Sequence, residues 1–181
     1  MMPGPRLAKC DTLYGLAQRS GGNIVELGTF RGCGSIALAY GARAHLGSDA
    51  HVWTIDDYEE KRGWAAEVYL PDDLDICRDN LRSAGVEDTV TVICAEVQAA
   101  AAQWELPVNL LFWDLGINGR LAEDFDAWAP HLVVGGTFAI HDTMDRKLGS
   151  SQLVERAVAS GNWMDGGFLP GGVQVLVKRR K

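Results

Sequence analysis

No apolar run in these 181 residues approaches the roughly 20 residues that cross a bilayer, and the opening Met1-Met2-Pro3-Gly4-Pro5 lacks the apolar core of a signal peptide. A membrane partner is therefore not expected, and a cytoplasmic location is. Cysteine is sparse: the four, at positions 10, 33, 77 and 94, show no close pairing, which argues against a disulfide frame or a zinc site and for reduced thiols. Positive charge is in deficit, with 17 Lys and Arg against 24 Asp and Glu and a formal net charge of −7, which disfavours a nucleic-acid partner. The basic tail Lys178-Arg179-Arg180-Lys181 then reads as a solvated terminus. Internal repeats, linkers and low-complexity segments are also missing. With 47% hydrophobic and 23% charged residues, the chain fits one compact domain over residues 1–181.

The informative stretch runs Ile24-Val25-Glu26-Leu27-Gly28-Thr29-Phe30-Arg31-Gly32-Cys33-Gly34-Ser35, a short apolar run that ends in an acid and opens into a glycine-rich loop. Glycines there let the backbone turn sharply and approach a ligand, while the next helix points its unpaired N–H groups at that ligand. Trp53-Thr54-Ile55-Asp56-Asp57 follows as a second apolar run ending in carboxylates. An acid at that strand tip suits a ribose diol, since a carboxylate accepts two hydrogen bonds from vicinal hydroxyls. The glycine spacing is Gly-x-x-x-Gly-x-Gly, which does not meet the dinucleotide fingerprint Gly-x-Gly-x-x-Gly and so disfavours a nicotinamide cofactor.

The rest of the chain alternates strand and helix. Asp11 is expected to cap a first helix, within residues 1–22, carrying Leu13, Leu16 and Ala17 on one face and ended by Ser20-Gly21-Gly22. Strands are expected at 24–27, 52–55, 89–93, 108–113 and 137–140, with helices over 35–46, from Asp73 to Gly85, over 97–104, along Leu121, Phe125, Trp128 and Leu132, and around Leu153 to Val158. The nearly continuous apolar run at 108–113 reads as a central parallel strand. Residues 162–181 read as a hairpin turning at Pro170-Gly171-Gly172. Segment 58–71, with Trp64 and Tyr69, lies past a strand end and is a candidate substrate wall. Trp53, Trp113 and Trp128 read as core, whereas Trp64 and Trp163 are free to line an aromatic or sugar pocket.

The run Glu-Leu-Gly-Thr-Phe-Arg-Gly-Cys-Gly-Ser resembles motif I of the class I S-adenosylmethionine-dependent methyltransferases, in the variant of small-molecule O-methyltransferases with an Asp-Gly-x-His motif. The likeness covers roughly Asn23 to Val177, and its motifs recur in order. It implies a doubly wound, Rossmann-like, mostly parallel α/β sheet of order 3-2-1-4-5-7-6, with an antiparallel C-terminal hairpin. It also implies S-adenosylmethionine as cofactor. Gly28, Thr29, Phe30, Gly32, Gly34 and Ser35 would shape the pocket for its methionine part, and Glu26 would anchor the loop or the ammonium group. Asp56, then Asp57, would hold the ribose, and Ala95 and Glu96 would border the adenine.

The fourth and fifth strands are neighbours in that order, about 4.8 Å apart, so Asp114 and Asp142 at their tips can reach one small cation. A magnesium ion there could bind a substrate hydroxyl and lower its pKa. Catechol-type relatives are similar but carry Asn where this chain has Thr143, and the Asp-Gly-x-His relatives carry His where it has Ile117. His141 offers a metal-free route, as an imidazole beside Asp142 able to take the nucleophile's proton. The chain thus reads as an O-methyltransferase for a small hydroxylated molecule, and a homodimer is common among relatives. The rivals are a cofactor-binding protein without turnover and a nicotinamide-linked oxidoreductase.

Overall fold

The structure, a computed structural model, describes residues 5–59, 69–116, 120–141 and 150–180. Seven strands form one sheet: β1 (Ile24–Leu27), β2 (Val52–Asp56), β3 (Val90–Cys94), β4 (Val108–Trp113), β5 (Leu132–Ile140), β6 (Trp163–Leu169) and β7 (Val173–Lys178). The order is β3-β2-β1-β4-β5-β7-β6, with β1 to β5 parallel and β7 antiparallel to both β5 and β6. This is the expected doubly wound methyltransferase sheet with its antiparallel C-terminal hairpin. The innermost strands earn their position from composition: every residue of β1 is buried, as are five of the six in β4, because parallel strands carry helices on both faces.

Among the described residues six α-helices cover the sheet: α1 (Pro5–Ser20), α2 (Cys33–Leu46), α3 (Asp73–Ser83), α4 (Val97–Ala102), α5 (Leu121–Trp128) and α6 (Ser150–Ala159). One core packs α1, α2 and α3 through Leu13, Ala17, Leu38, Cys77 and Leu81 against one face. The other packs α4, α5 and α6 through Val97, Phe125, Trp128 and Leu153 against the opposite face.

Several expectations are corrected. The first helix starts at Pro5, a residue whose fixed φ suits a first helical turn, so Asp11 is an exposed mid-helix residue instead of a cap. The helix after the glycine loop begins at Cys33, two residues before Ser35. The fourth helix stops at Ala102, and the fifth strand begins at Leu132, where a register irregularity against β4 hid its first half. Trp163 is no pocket wall: it is buried with its ring centroid 5.1 Å from that of Phe125. Lys178 is no solvated tail residue: the residue is only 8% exposed, and its ammonium donates to Ala129 O (2.7 Å) and Leu132 O (2.8 Å). Trp64 lies outside the described residues.

Candidate active site

The carboxyl ends of the strands are laced together by their own backbone. Just past each tip, an N–H donates to the neighbouring strand: Gly28 to Ile55 O (2.9 Å), Ala95 to Asp56 O (3.0 Å), Asp114 to Leu27 O (2.8 Å) and His141 to Trp113 O (2.9 Å). Glu26, Asp56, Asp114 and His141 are therefore carried on or beside strand ends tied to their neighbours by backbone hydrogen bonds.

Glu26 lies at the bottom of the site, 1% exposed, and accepts hydrogen bonds from the Ser35 hydroxyl and from Thr54 Oγ1 (2.7 Å). Burial, opposed by those two hydroxyls, pushes its carboxyl up to about 7. Thr29 is also buried, its hydroxyl 2.5 Å from that of Thr54. Ser35 and Thr29 thus brace Glu26 and β2 from behind the loop. Above them, Gly28 and Gly34 make room. At Gly28, φ is +94° and a Cβ would come within 2.5 Å of Asp114 O, while at Gly34 a Cβ would overlap Glu26 Oε1.

Asp56 holds the loop itself: its Oδ2 accepts from the N–H groups of Thr29 (3.0 Å) and Phe30 (2.9 Å), and its Oδ1 from Tyr58 N (3.3 Å). Phe30 sits at φ +50°, its carbonyl accepting from the Tyr58 hydroxyl (3.0 Å) and its ring edge-on to Tyr69 at 5.2 Å. Gly32, at φ +82°, delivers the chain into α2. Asp57 accepts from Glu59 N (3.0 Å).

Asp56 and Asp57 line one cavity of about 90 Å³ together with Gly28, Glu96, Val97 and Asp114. Glu96 also caps α4, with Oε2 accepting from Gln98 N and Ala99 N (2.9 Å each), and Oε1 accepts from Arg120 (2.6 Å). Ala95 contributes its backbone tie to Asp56 and is not among the residues lining this cavity. A second cavity, of about 180 Å³, is bounded by Glu26, Gly28, Gly34, Tyr69, Asp114 and Lys9.

Asp114 and His141 meet at the tips of β4 and β5, with His141 Nδ1 2.7 Å from Asp114 Oδ1. The other oxygen of Asp114 accepts from Lys9 Nζ at 2.9 Å. Lys9 was not singled out in the sequence, although its place four residues before Leu13, on the apolar face of α1, marks a lysine that needs a buried partner. Burial alone would lower its pKa; the Asp114 carboxylate outweighs this, with Glu26 adding to it, so the net shift is upward and the ammonium stays charged. Lys9 is held there by the hairpin turn, whose Gly171 backbone packs on Lys9 and whose Pro170 carbonyl accepts from Thr12 Oγ1 (2.7 Å).

Of the two carboxylates expected to hold magnesium, only Asp114 lies within the described residues, and its surroundings give no support to a metal. Both oxygens of Asp114 are engaged, one by an ammonium, and among the described residues no group of three or more His, Cys, Asp or Glu is placed to hold a metal. Asp142, with Ile117 and Thr143, lies outside the described residues. Sequence spacing also gave no hint that Cys10 and Cys33 meet, with sulfurs 3.7 Å apart; burial first, then Cys33, push the Cys10 thiol up.

A sheet in this order, with a glycine loop after β1 and acids at the tips of β2 and β4, is the class I S-adenosylmethionine-dependent methyltransferase fold. Residues 25–143 match the family described as "Methyltransferase domain", and the chain belongs to that family. Solved structures agree on the fold. An O-methyltransferase from Bacillus cereus in complex with SAH is 21% identical, with 98% of this chain and 83% of that one covered and a TM-score of 0.69. The O-methyltransferase TomG from Streptomyces achromogenes, involved in tomaymycin synthesis and solved with SAM, is 17% identical (99% and 82% covered, TM-score 0.72). A methyltransferase from Geobacter sulfurreducens is 19% identical (96% and 80% covered, TM-score 0.72). Among the described residues no helix is long and apolar enough to cross a membrane.

Proposed function

We propose that this protein transfers a methyl group from S-adenosylmethionine to a hydroxyl of a small molecule, with His141 as proton acceptor and Asp114 as its orienting partner. The 2.7 Å contact between His141 and Asp114, beside the glycine loop, carries the reading. When bound, S-adenosylmethionine supplies an electrophilic sulfonium methyl and leaves as S-adenosylhomocysteine. The chain's residues are compatible with that group: Gly28, Gly34 and Glu26 line the cavity at the loop, where Glu26 offers a carboxyl to its ammonium, and Asp57 with Asp56 lines the other cavity and offers carboxylate oxygens to its ribose. Glu96 and Val97 line the same cavity and are the residues this reading assigns to the adenine.

With Nδ1–H donated to Asp114, His141 is set in the tautomer that would accept the hydroxyl proton while the acceptor oxygen takes the methyl group. The bond to Asp114 holds that tautomer and stabilises the imidazolium that results. Alignment supplies the remainder of the rate, because the methyl donor is already activated.

Calorimetric titration with S-adenosylhomocysteine tests the cofactor. Micromolar binding is expected, weakened on the order of tenfold in Asp57→Ala, the magnitude of one charge-assisted hydrogen bond. Asp56→Ala should lose more, since it also unfastens the loop. His141→Ala should keep this affinity yet transfer methyl on the order of 10²–10⁴-fold more slowly. No heat with either form of the cofactor would overturn the proposal.

A further inference from the structure

Two free thiols meet beside the glycine loop. Cys10 Sγ, on α1, lies 3.7 Å from the Sγ of Cys33, the first residue of α2. Close packing of the two helices brings them there, since a Cβ at Gly41 of α2 would run into Tyr14 O of α1. Cys33 is exposed and Cys10 half-buried. Both line a cavity of about 630 Å³, together with Lys9, Arg31, Tyr40 and Asn80, so a small reagent has a way to either sulfur. The backbone is pinned on both sides of the contact. Cys33 stands between Gly32, at φ +82°, and Gly34, where a Cβ would overlap Glu26 Oε1, while Lys9, the neighbour of Cys10, holds Asp114 and has the Gly171 backbone packed on it.

We propose that Cys10 and Cys33 form a modification site, a dithiol that a peroxide converts to a reversible disulfide, and that this link between α1 and the glycine loop weakens cofactor binding. The effect on the cofactor rests on the methyltransferase reading; the link itself does not. An S–S bond is about 2 Å long, so the two sulfurs have a gap of under about 2 Å to close, within reach of side-chain rotation and a small shift of α1. Cys33 meets the oxidant first, because it is exposed and because burial, then Cys33 itself, push the Cys10 thiol up and keep it protonated. Its sulfur attacks one peroxide oxygen, the O–O bond breaks, and one water leaves a sulfenic acid behind. Cys10 then attacks the Cys33 sulfur, the S–O bond breaks, and a second water departs. The two thiols together lose two electrons and two protons, and the peroxide takes up both as two waters. Cys33 and Lys9 are also walls of the cavity of about 180 Å³ that Glu26, Gly34 and Asp114 line. Drawing Cys33 onto the residue next to Lys9 brings those walls together and narrows the space given to the methionine part of the cofactor.

Protein reduced with dithiothreitol and freed of it is treated with hydrogen peroxide, quenched with catalase and divided. Trypsin without reductant should release residues 10–19 joined to residues 32–43, lighter by two hydrogens than the separate peptides, and dithiothreitol should part them. Calorimetry on the second portion should show S-adenosylhomocysteine bound on the order of tenfold more weakly than by the reduced protein, the worth of one strong contact, with dithiothreitol restoring the loss. Cys10→Ala, which lacks the second sulfur, should form no link and keep most of its affinity through the same treatment; Cys10→Ser takes its place should the alanine variant fail to fold by circular dichroism. No joined peptide, an equal loss of affinity in the variant, or a linked wild type that binds as tightly as the reduced one would sink the proposal. Failure of the reduced wild type to bind S-adenosylhomocysteine defeats the methyltransferase reading instead, and the joined peptide then still decides whether the two thiols are a pair.

Discussion

Replacing Glu26 with Gln tests whether the acid under the glycine loop holds a proton. Burial raises its carboxyl from an ordinary 4.5 to about 7, against the pull of the Ser35 and Thr54 hydroxyls. Between those values the folded state holds the proton and the unfolded chain does not. The stabilisation is therefore complete below about pH 4.5 and is lost as pH rises through 7. At about 1.4 kcal/mol per pH unit this amounts to roughly 3 kcal/mol, and salt screens it little because the group is buried. Gln has nearly the same shape, keeps a carbonyl oxygen for both hydroxyls and does not titrate. Urea unfolding followed by tryptophan fluorescence, at about pH 5 and about pH 8, gives the comparison. Relative to Glu26→Gln, the wild type should lose about 2–3 kcal/mol over that interval, every other titration cancelling between the two proteins. Saturating S-adenosylhomocysteine should shrink the difference, since an ammonium brought to Glu26 favours its ionised form. Parallel stability profiles for the two proteins, or a wild type that gains on its variant as pH rises, would refute the reasoning.

Two other substitutions bear on the scaffold. Gly34→Ala places a methyl group on Glu26 Oε1 and should cost about 1–3 kcal/mol in urea unfolding, with weaker cofactor binding; adding Glu26→Ala frees the space, so the double variant should lose less than the two single losses together. Lys178→Met leaves the Ala129 and Leu132 carbonyls without their donor and should cost about 1–3 kcal/mol; a change below about 0.5 kcal/mol would return Lys178 to the solvated tail.

The sheet was legible because each of its parallel strands is a short apolar run closed by a turn or an acid, and each helix shows its own stripe. The strand order came from the family resemblance, and the structure has it. The glycine loop was legible for the same local reason, as twelve consecutive residues contain it. What escaped were contacts between distant positions. Lys9 and Asp114 are 105 residues apart, and Cys10 and Cys33 meet only because α1 packs on α2. Lys178 looked like part of a basic run because the two carbonyls that receive it lie just after α5 and at the start of β5, which sequence spacing does not connect to it. Asp56 was read as a ribose partner, and its grip on the Thr29 and Phe30 amides was invisible because those donors are backbone.

The turn between β6 and β7 has a consequence for when the site comes into being during synthesis. β7 takes its place beside β5 with β6 outside it, so β5 gains its outer neighbour only from a strand made after β6. Until then the glycine loop and the tips of the first five strands exist, but Gly171 and Pro170 are not yet there to hold the start of α1 over them. The Pro170 and Gly171 contacts to α1 therefore become available only after translation has passed those residues, so the seat of Lys9 depends on a handshake between the first helix and the turn from β6 to β7.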